Sequence, residues 1–174
     1  MTDNQTINDL TSAIELNSQD KEAYFNRANA YIDLEKYEEA IADFTKAIEL
    51  DPEDSSAYCD RGSTYCELKQ YPEALTDYAK AIELDPKDFG VYYCRGITYD
   101  ELKQYENAIA DFTKALEIEP ELAFAYSNRG EAYEHLKKYD KARQDWQQAL
   151  NLCQQQGDET MAQTIMESLE KLPK

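Results

Sequence analysis

Apolar and small residues recur along this chain at steps of three and four, and the whole pattern repeats every 34 residues. The segments AIADFTKAIELDP (40–52), ALTDYAKAIELDP (74–86) and AIADFTKALEIEP (108–120) align without a gap. So do YFNRANAY, YCDRGSTY, YYCRGITY and YSNRGEAY, which start at 24, 58, 92 and 126. Four full repeats therefore occupy 21–54, 55–88, 89–122 and 123–156, with residues 1–20 and 157–174 left outside them. Each repeat predicts two helices joined by a short turn. On the first, helix A, the stripe is Tyr24, Arg27, Ala28 and Tyr31; on the second, helix B, it is Ala40, Phe44, Ala47 and Leu50.

The stops and starts agree with this reading. Pro52, Pro86 and Pro120 stand where a B helix must end, and Pro72 sits in a first helical turn, where its missing N–H costs nothing. Asp20, Asp54 and Asp88 precede A helices as N-caps. Residues 6–20, TINDLTSAIELNSQD, line up with 40–54, so the N-terminal piece is a half repeat: one B-type helix over 3–17. The last piece places Met161, Ile165, Met166, Leu169 and Leu172 mostly on one helical face and reads as a cap for the end of the array.

Composition narrows the classes of function. Among 174 residues, 18 are Lys or Arg and 36 are Asp or Glu, a formal net charge of -18. That surface repels phosphate backbones and anionic lipid, so neither nucleic acid nor membrane is an expected partner. No apolar run is long enough to cross a bilayer, and MTDNQTINDL does not read as a signal peptide; the expectation is a soluble cytoplasmic protein. Cys59, Cys66, Cys94 and Cys153 show no CxxC pair and read as reduced thiols.

The 34-residue pattern resembles the tetratricopeptide repeat. Its small positions fall at Ala28, Gly62, Gly96 and Gly130, then Ala40, Ala74, Ala108 and Ala142, then Ala47, Ala81, Ala115 and Ala149. The large position of helix B holds Phe44, Tyr78, Phe112 and Trp146. Two positions depart from the family pattern: Arg27, Arg61, Arg95 and Arg129 replace the usual Leu, and Gln154 stands where the earlier repeats have Pro. The resemblance implies an all-α, right-handed solenoid with a C-terminal capping helix, working as a protein-binding scaffold rather than an enzyme.

Twelve of the fourteen tyrosines fall in three repeat columns and read as packing residues; only Tyr78, in the large position, and Tyr93 lie outside them. The arginine column is matched by Asp9, Asp43, Asp77, Asp111 and Asp145, also 34 apart, which predicts structural pairing rather than a ladder for anions. His135, the single histidine, belongs to no catalytic or metal set and reads as a solvated helix end. No cofactor or metal is expected.

The resemblance implies a concave groove lined by A helices that takes a peptide or partner helix. Carried over by alignment, its residues are Phe25, Asn26, Asn29 and Asp33; Asp60 and Glu67; Tyr93, Ile97 and Glu101; and Phe124, Asn128 and Glu131. This groove is acidic with apolar islands, so basic or neutral peptides are expected. The positions with which relatives grip the carboxylate tail of chaperones read Phe25, Asn29, Asp60, Gly90 and Cys94, or one repeat on, Cys59, Ser63, Cys94, Phe124 and Asn128. Neither set holds a cation, which argues against an acidic tail. The alternative function is self-assembly into a homo-oligomer through the incomplete first repeat, with Leu10 and Leu16 as its apolar strip.

Overall fold

Aspartate side chains open three of the A helices, as the sequence predicts. The computed structural model describes residues 3–173. In it Asp20 accepts the Ala23 N–H, Asp54 those of Ser56 and Ala57, and Asp88 that of Gly90. Each carboxylate thus satisfies backbone donors that have no partner inside the helix. The fourth A helix starts after Leu122, which has no side chain able to cap it. Among the described residues there are ten helices and no strand.

Two compact blocks, residues 1–86 and 87–174, make up the chain. The first holds α1 (Asp3–Leu16), α2 (Lys21–Ile32), α3 (Tyr37–Leu50), α4 (Ser55–Glu67) and α5 (Tyr71–Leu84). The second holds α6 (Phe89–Glu101), α7 (Tyr105–Ile118), α8 (Ala123–His135), α9 (Tyr139–Gln156) and α10 (Glu159–Lys171). Within each block every helix packs on the next in sequence, and α6 also touches α8.

The A and B helices of a repeat meet through the small and large columns. Phe44 and Tyr78 are almost fully buried in the first block, as are Phe112 and Trp146 in the second. Small residues make the close approach possible: a Cβ on Gly96 would lie 2.7 Å from Phe112 Cε1, and one on Gly130 2.7 Å from Trp146 Cδ1. The buried large side chains keep what polar atoms they have satisfied, since Tyr78 Oη pairs with Ser63 Oγ at 3.1 Å and Trp146 Nε1 donates to the Ser127 carbonyl at 3.0 Å.

The turn from A to B is the same in all four repeats and contains no glycine. Glu35, Lys69, Lys103 and Lys137 take left-handed backbone, with φ of 57–58°. That conformation turns the next N–H back onto a tyrosine carbonyl of helix A: Lys36 to Tyr31, Gln70 to Tyr65, Gln104 to Tyr99 and Lys138 to Tyr133, at 2.8–2.9 Å.

Replacing proline by Gln154 has a visible effect. The helices α3, α5 and α7 each run 14 residues, whereas α9 runs 18 and ends only at Gly157, in left-handed backbone at φ 77°. The extra turn gives α10 a surface to cover, and Ile165, Ala162 and the following Leu172 are buried with Leu150, Leu152 and Cys153. Burial pushes the Cys153 thiol pKa up. Met166, placed on this face by spacing, is 38% exposed and lies outside the core.

Candidate functional site: ion pairs and A-helix faces

Each repeat arginine is held by the aspartate 16 residues ahead, on its own B helix. Arg27 grips Asp43 through Nε and Nη2 at 2.6 and 2.8 Å. Arg61–Asp77, Arg95–Asp111 and Arg129–Asp145 repeat the geometry at 2.7–2.8 Å. The carboxylates are almost buried, at 7–10% side-chain exposure, and the guanidinium groups lie against tyrosine rings of helix A. Hydrogen bonding to the aspartate raises the pKa of Arg27, Arg61 and Arg95; around Arg129 burial opposes the charge most strongly, yet Asp145 still leaves it raised. These arginines are therefore committed to the fold.

A third contact was not legible in the spacing of acids. Nη1 of Arg27, Arg61 and Arg129 donates to the hydroxyl of Thr11, Thr45 and Thr113 on the preceding B helix, at 2.9–3.0 Å.

In the first block the A-helix face is a shallow cleft of about 140 Å³ lined by Asn29, Ile32, Asp60, Ser63, Thr64 and Glu67. Asp33 is exposed beside it. Phe25 packs edge-on against Phe44 at 5.4 Å, so most of its ring belongs to the core, while Asn26 is exposed. At the start of α2, Lys21 bridges Asp51 and Asp54, and those two hydrogen bonds push its pKa up to about 12.

The face in the second block has an aromatic end and an acidic end. Tyr93, Ile97 and Asp100 follow one stripe of α6; Phe124, Asn128, Glu131 and His135 follow one stripe of α8. Tyr93 sits between Phe112 and Phe124, with ring centroids 5.8 and 4.6 Å away, and its hydroxyl accepts from Asn128 Nδ2 at 2.9 Å. Burial raises the Tyr93 pKa, and the Asn128 hydrogen bond works against that rise. Phe124 stays 37% exposed.

About two helical turns along, the surroundings turn acidic. Oδ1 of Asp100 is buried, and no donor among the described residues reaches it. Burial, then repulsion from Glu101, raises the Asp100 pKa, against attraction from His135. Glu131 is raised as well, by desolvation first and by Asp100 second. Glu101 is exposed at the edge. His135 is exposed, as the sequence implies, but not merely solvated: its ring stacks on Tyr105 at 4.5 Å and 14°.

At the start of the chain Leu10 lines an open concavity of about 570 Å³ with Thr6, Asp9 and Asn26, and Leu16 is 90% exposed. Among the described residues no group of three or more His, Cys, Asp or Glu side chains is arranged to hold a metal ion. No helix there is long and apolar enough to cross a membrane.

Paired helices, small interfacial residues and a fixed period define an α-helical repeat protein of the scaffold class. Models of the tetratricopeptide repeat match residues 22–54, 90–122 and 123–156, and further models of this repeat match 62–103 and 44–76. The chain belongs to the tetratricopeptide-repeat family. Solved structures agree on the fold. MamA 41-end from Desulfovibrio magneticus RS-1 is 23% identical with a TM-score of 0.83, over 88% of this chain and 87% of that one. The Arabidopsis OM64 TPR domain is 30% identical with a TM-score of 0.64, over 66% and 95%. PilF of Pseudomonas aeruginosa is 18% identical with a TM-score of 0.75, over 93% and 80%. No curated protein matches the chain. Fold and family support a protein-interaction scaffold, a class that is typically non-catalytic.

Proposed function

We propose that the A-helix faces bind a basic or neutral segment of a partner protein. An apolar side chain seats at Tyr93 and Phe124, and a Lys or Arg reaches Asp100 and Glu131. The observation that carries this reading is the buried Asp100 Oδ1 without a donor. A buried acceptor left unmade is costly, and a charge-assisted hydrogen bond from a partner cation relieves that cost. Both pKa shifts point the same way: burial and then Glu101 raise Asp100, desolvation and then Asp100 raise Glu131 although its side chain is exposed, and His135 opposes both.

The exposed acids, Asp33 and Glu67 in the first block and Glu101 in the second, each make their own block negative and serve chiefly to steer a positive partner. The same field disfavours nucleic acid and anionic membrane. We place the protein in the cytoplasm, where the buried Cys153 stays a thiol.

Matched basic and acidic peptides with one aromatic residue, titrated at low and high salt, test the reading. The basic peptide should bind more tightly, with an affinity that falls as salt rises, and Asp100→Asn should weaken it about tenfold or more. Equal affinities for the two peptides reject it.

A further inference from the structure

Lys137, Lys138, Lys141 and Arg143, four of the chain's 18 cations, stand together where α8 turns into α9, inside the second block. The packing shared by the four hairpins does not require them. Lys138 stands where the earlier repeats have Lys36, Gln70 and Gln104, Lys141 where they have Glu39, Glu73 and Asn107, and Arg143 where they have Ile41, Leu75 and Ile109. The start of a helix also disfavours cations, and α3, α5 and α7 place glutamates in their first turns.

Many other cations are matched within the chain. Lys46, Lys80 and Lys114 each pair with the glutamate three residues on, and the repeat arginines with their aspartates. Lys137, Lys138 and Lys141 are exposed and enter no salt bridge among the described residues. Lys141 Nζ lies 5.3 Å from the centre of the Tyr133 ring, and Arg143 donates to the Pro173 carbonyl at 2.8 Å and to Asp140 at 3.4 Å. These contacts position two of the four cations. All four line a concavity of about 440 Å³, in which Asp140 is the only acid.

We propose that this concavity binds an acidic segment of a partner protein, with a short run of Asp or Glu side chains meeting Lys137, Lys138 and Lys141. Charge complementarity selects the class. A short acidic run fits within the patch, whereas nucleic acid and anionic membrane extend past it onto the surface that gives the chain its formal charge of -18. A second copy brings that same charge with it. None of these residues belongs to the groove of Tyr93, Asp100, Phe124 and Glu131, so the two sites take segments of opposite charge independently.

The probe is an acetylated, amidated hexaglutamate peptide, titrated into the full chain at low salt and followed amide by amide by NMR. Residues 137–143 should show saturable shifts with a Kd below about 1 mM, weakening as salt rises. Lys138→Gln with Lys141→Asn copies the third repeat; it should lower the affinity about tenfold and leave helical content and melting temperature unchanged. A melting temperature lowered by this double variant assigns the lysines to the fold and overturns the site. Asp100→Asn should leave the binding intact; loss there gives the peptide to the groove and also overturns it. So do the absence of saturable shifts at residues 137–143, and equal shifts there with inorganic phosphate at the same concentration. Light scattering that shows a dimer abolished by the double variant gives the patch to a second copy and likewise overturns the proposal.

Discussion

Arg61 Nη1 donates to Thr45 Oγ1 at 3.0 Å, across the junction between two successive hairpins. The rest of the guanidinium is spent on Asp77, so one side chain joins α3, α4 and α5. Its planar head supplies enough N–H groups for both partners, which a lysine at this position lacks the geometry to do.

Arg61→Leu restores the usual residue of the family but strands Asp77, whose side chain is 7% exposed. Urea denaturation should show a loss of about 3–5 kcal/mol. The double variant Arg61→Leu, Asp77→Leu should recover most of it. Thr45→Val removes only one hydrogen bond and should cost about 1 kcal/mol.

Glycine-to-alanine changes should rank by the ring they meet. Alanine gains about 1 kcal/mol of helix propensity. At Gly62 the added Cβ would lie 3.0 Å from the edge of Tyr78, and Ala28 already fills this column in the first repeat, so stability should change by less than about 1 kcal/mol. At Gly96 it would lie 2.7 and 2.8 Å from two Phe112 carbons, and the melt should report a net loss of about 1–3 kcal/mol.

The pH dependence follows from Asp100 and Glu131. Both pKa values are raised in the folded state, so the folded chain binds more protons than the unfolded one in the window above the ordinary carboxylate values. Stability from these groups therefore falls as pH rises through that window. Asp100→Asn and Glu131→Gln should raise the melting temperature at pH 7 and bring no gain below about pH 4, where the wild-type acids are protonated. The same changes should weaken basic peptides, so a gain in stability coincides with a loss in binding.

Lys69→Gly should stabilise the chain. Lysine pays for left-handed backbone at φ 57°, whereas glycine does not, although glycine loses more freedom on folding. A net gain of about 0.5 kcal/mol in urea is expected, and a loss of that size would mean that the turn is not strained.

The helices and the Arg–Asp pairing are legible in the sequence because both repeat, and repetition reveals what packing requires. The A-to-B turn is not, because Glu35 and the three lysines carry no mark of positive φ; only the structure exposes it. The threonine contact hides for a different reason, since hydroxyls at Thr11, Thr45 and Thr113 are acceptable on any exposed helix. Alignment places Tyr93, Asn128 and Glu131 in one groove, but the Tyr93–Asn128 hydrogen bond and the bare oxygen of Asp100 depend on side-chain directions that spacing does not fix.

The overrun of α9 past residue 153 gives the last hairpin a longer edge than the others have. Without the proline stop α9 runs on to Gly157, and α10 packs against the lengthened helix. A designer who wished to splice in a fifth hairpin would have to restore Pro at position 154 and move the segment from Gly157 onward to the new end. The residue at position 154 thus sets the length of the seam on which the last helix rests.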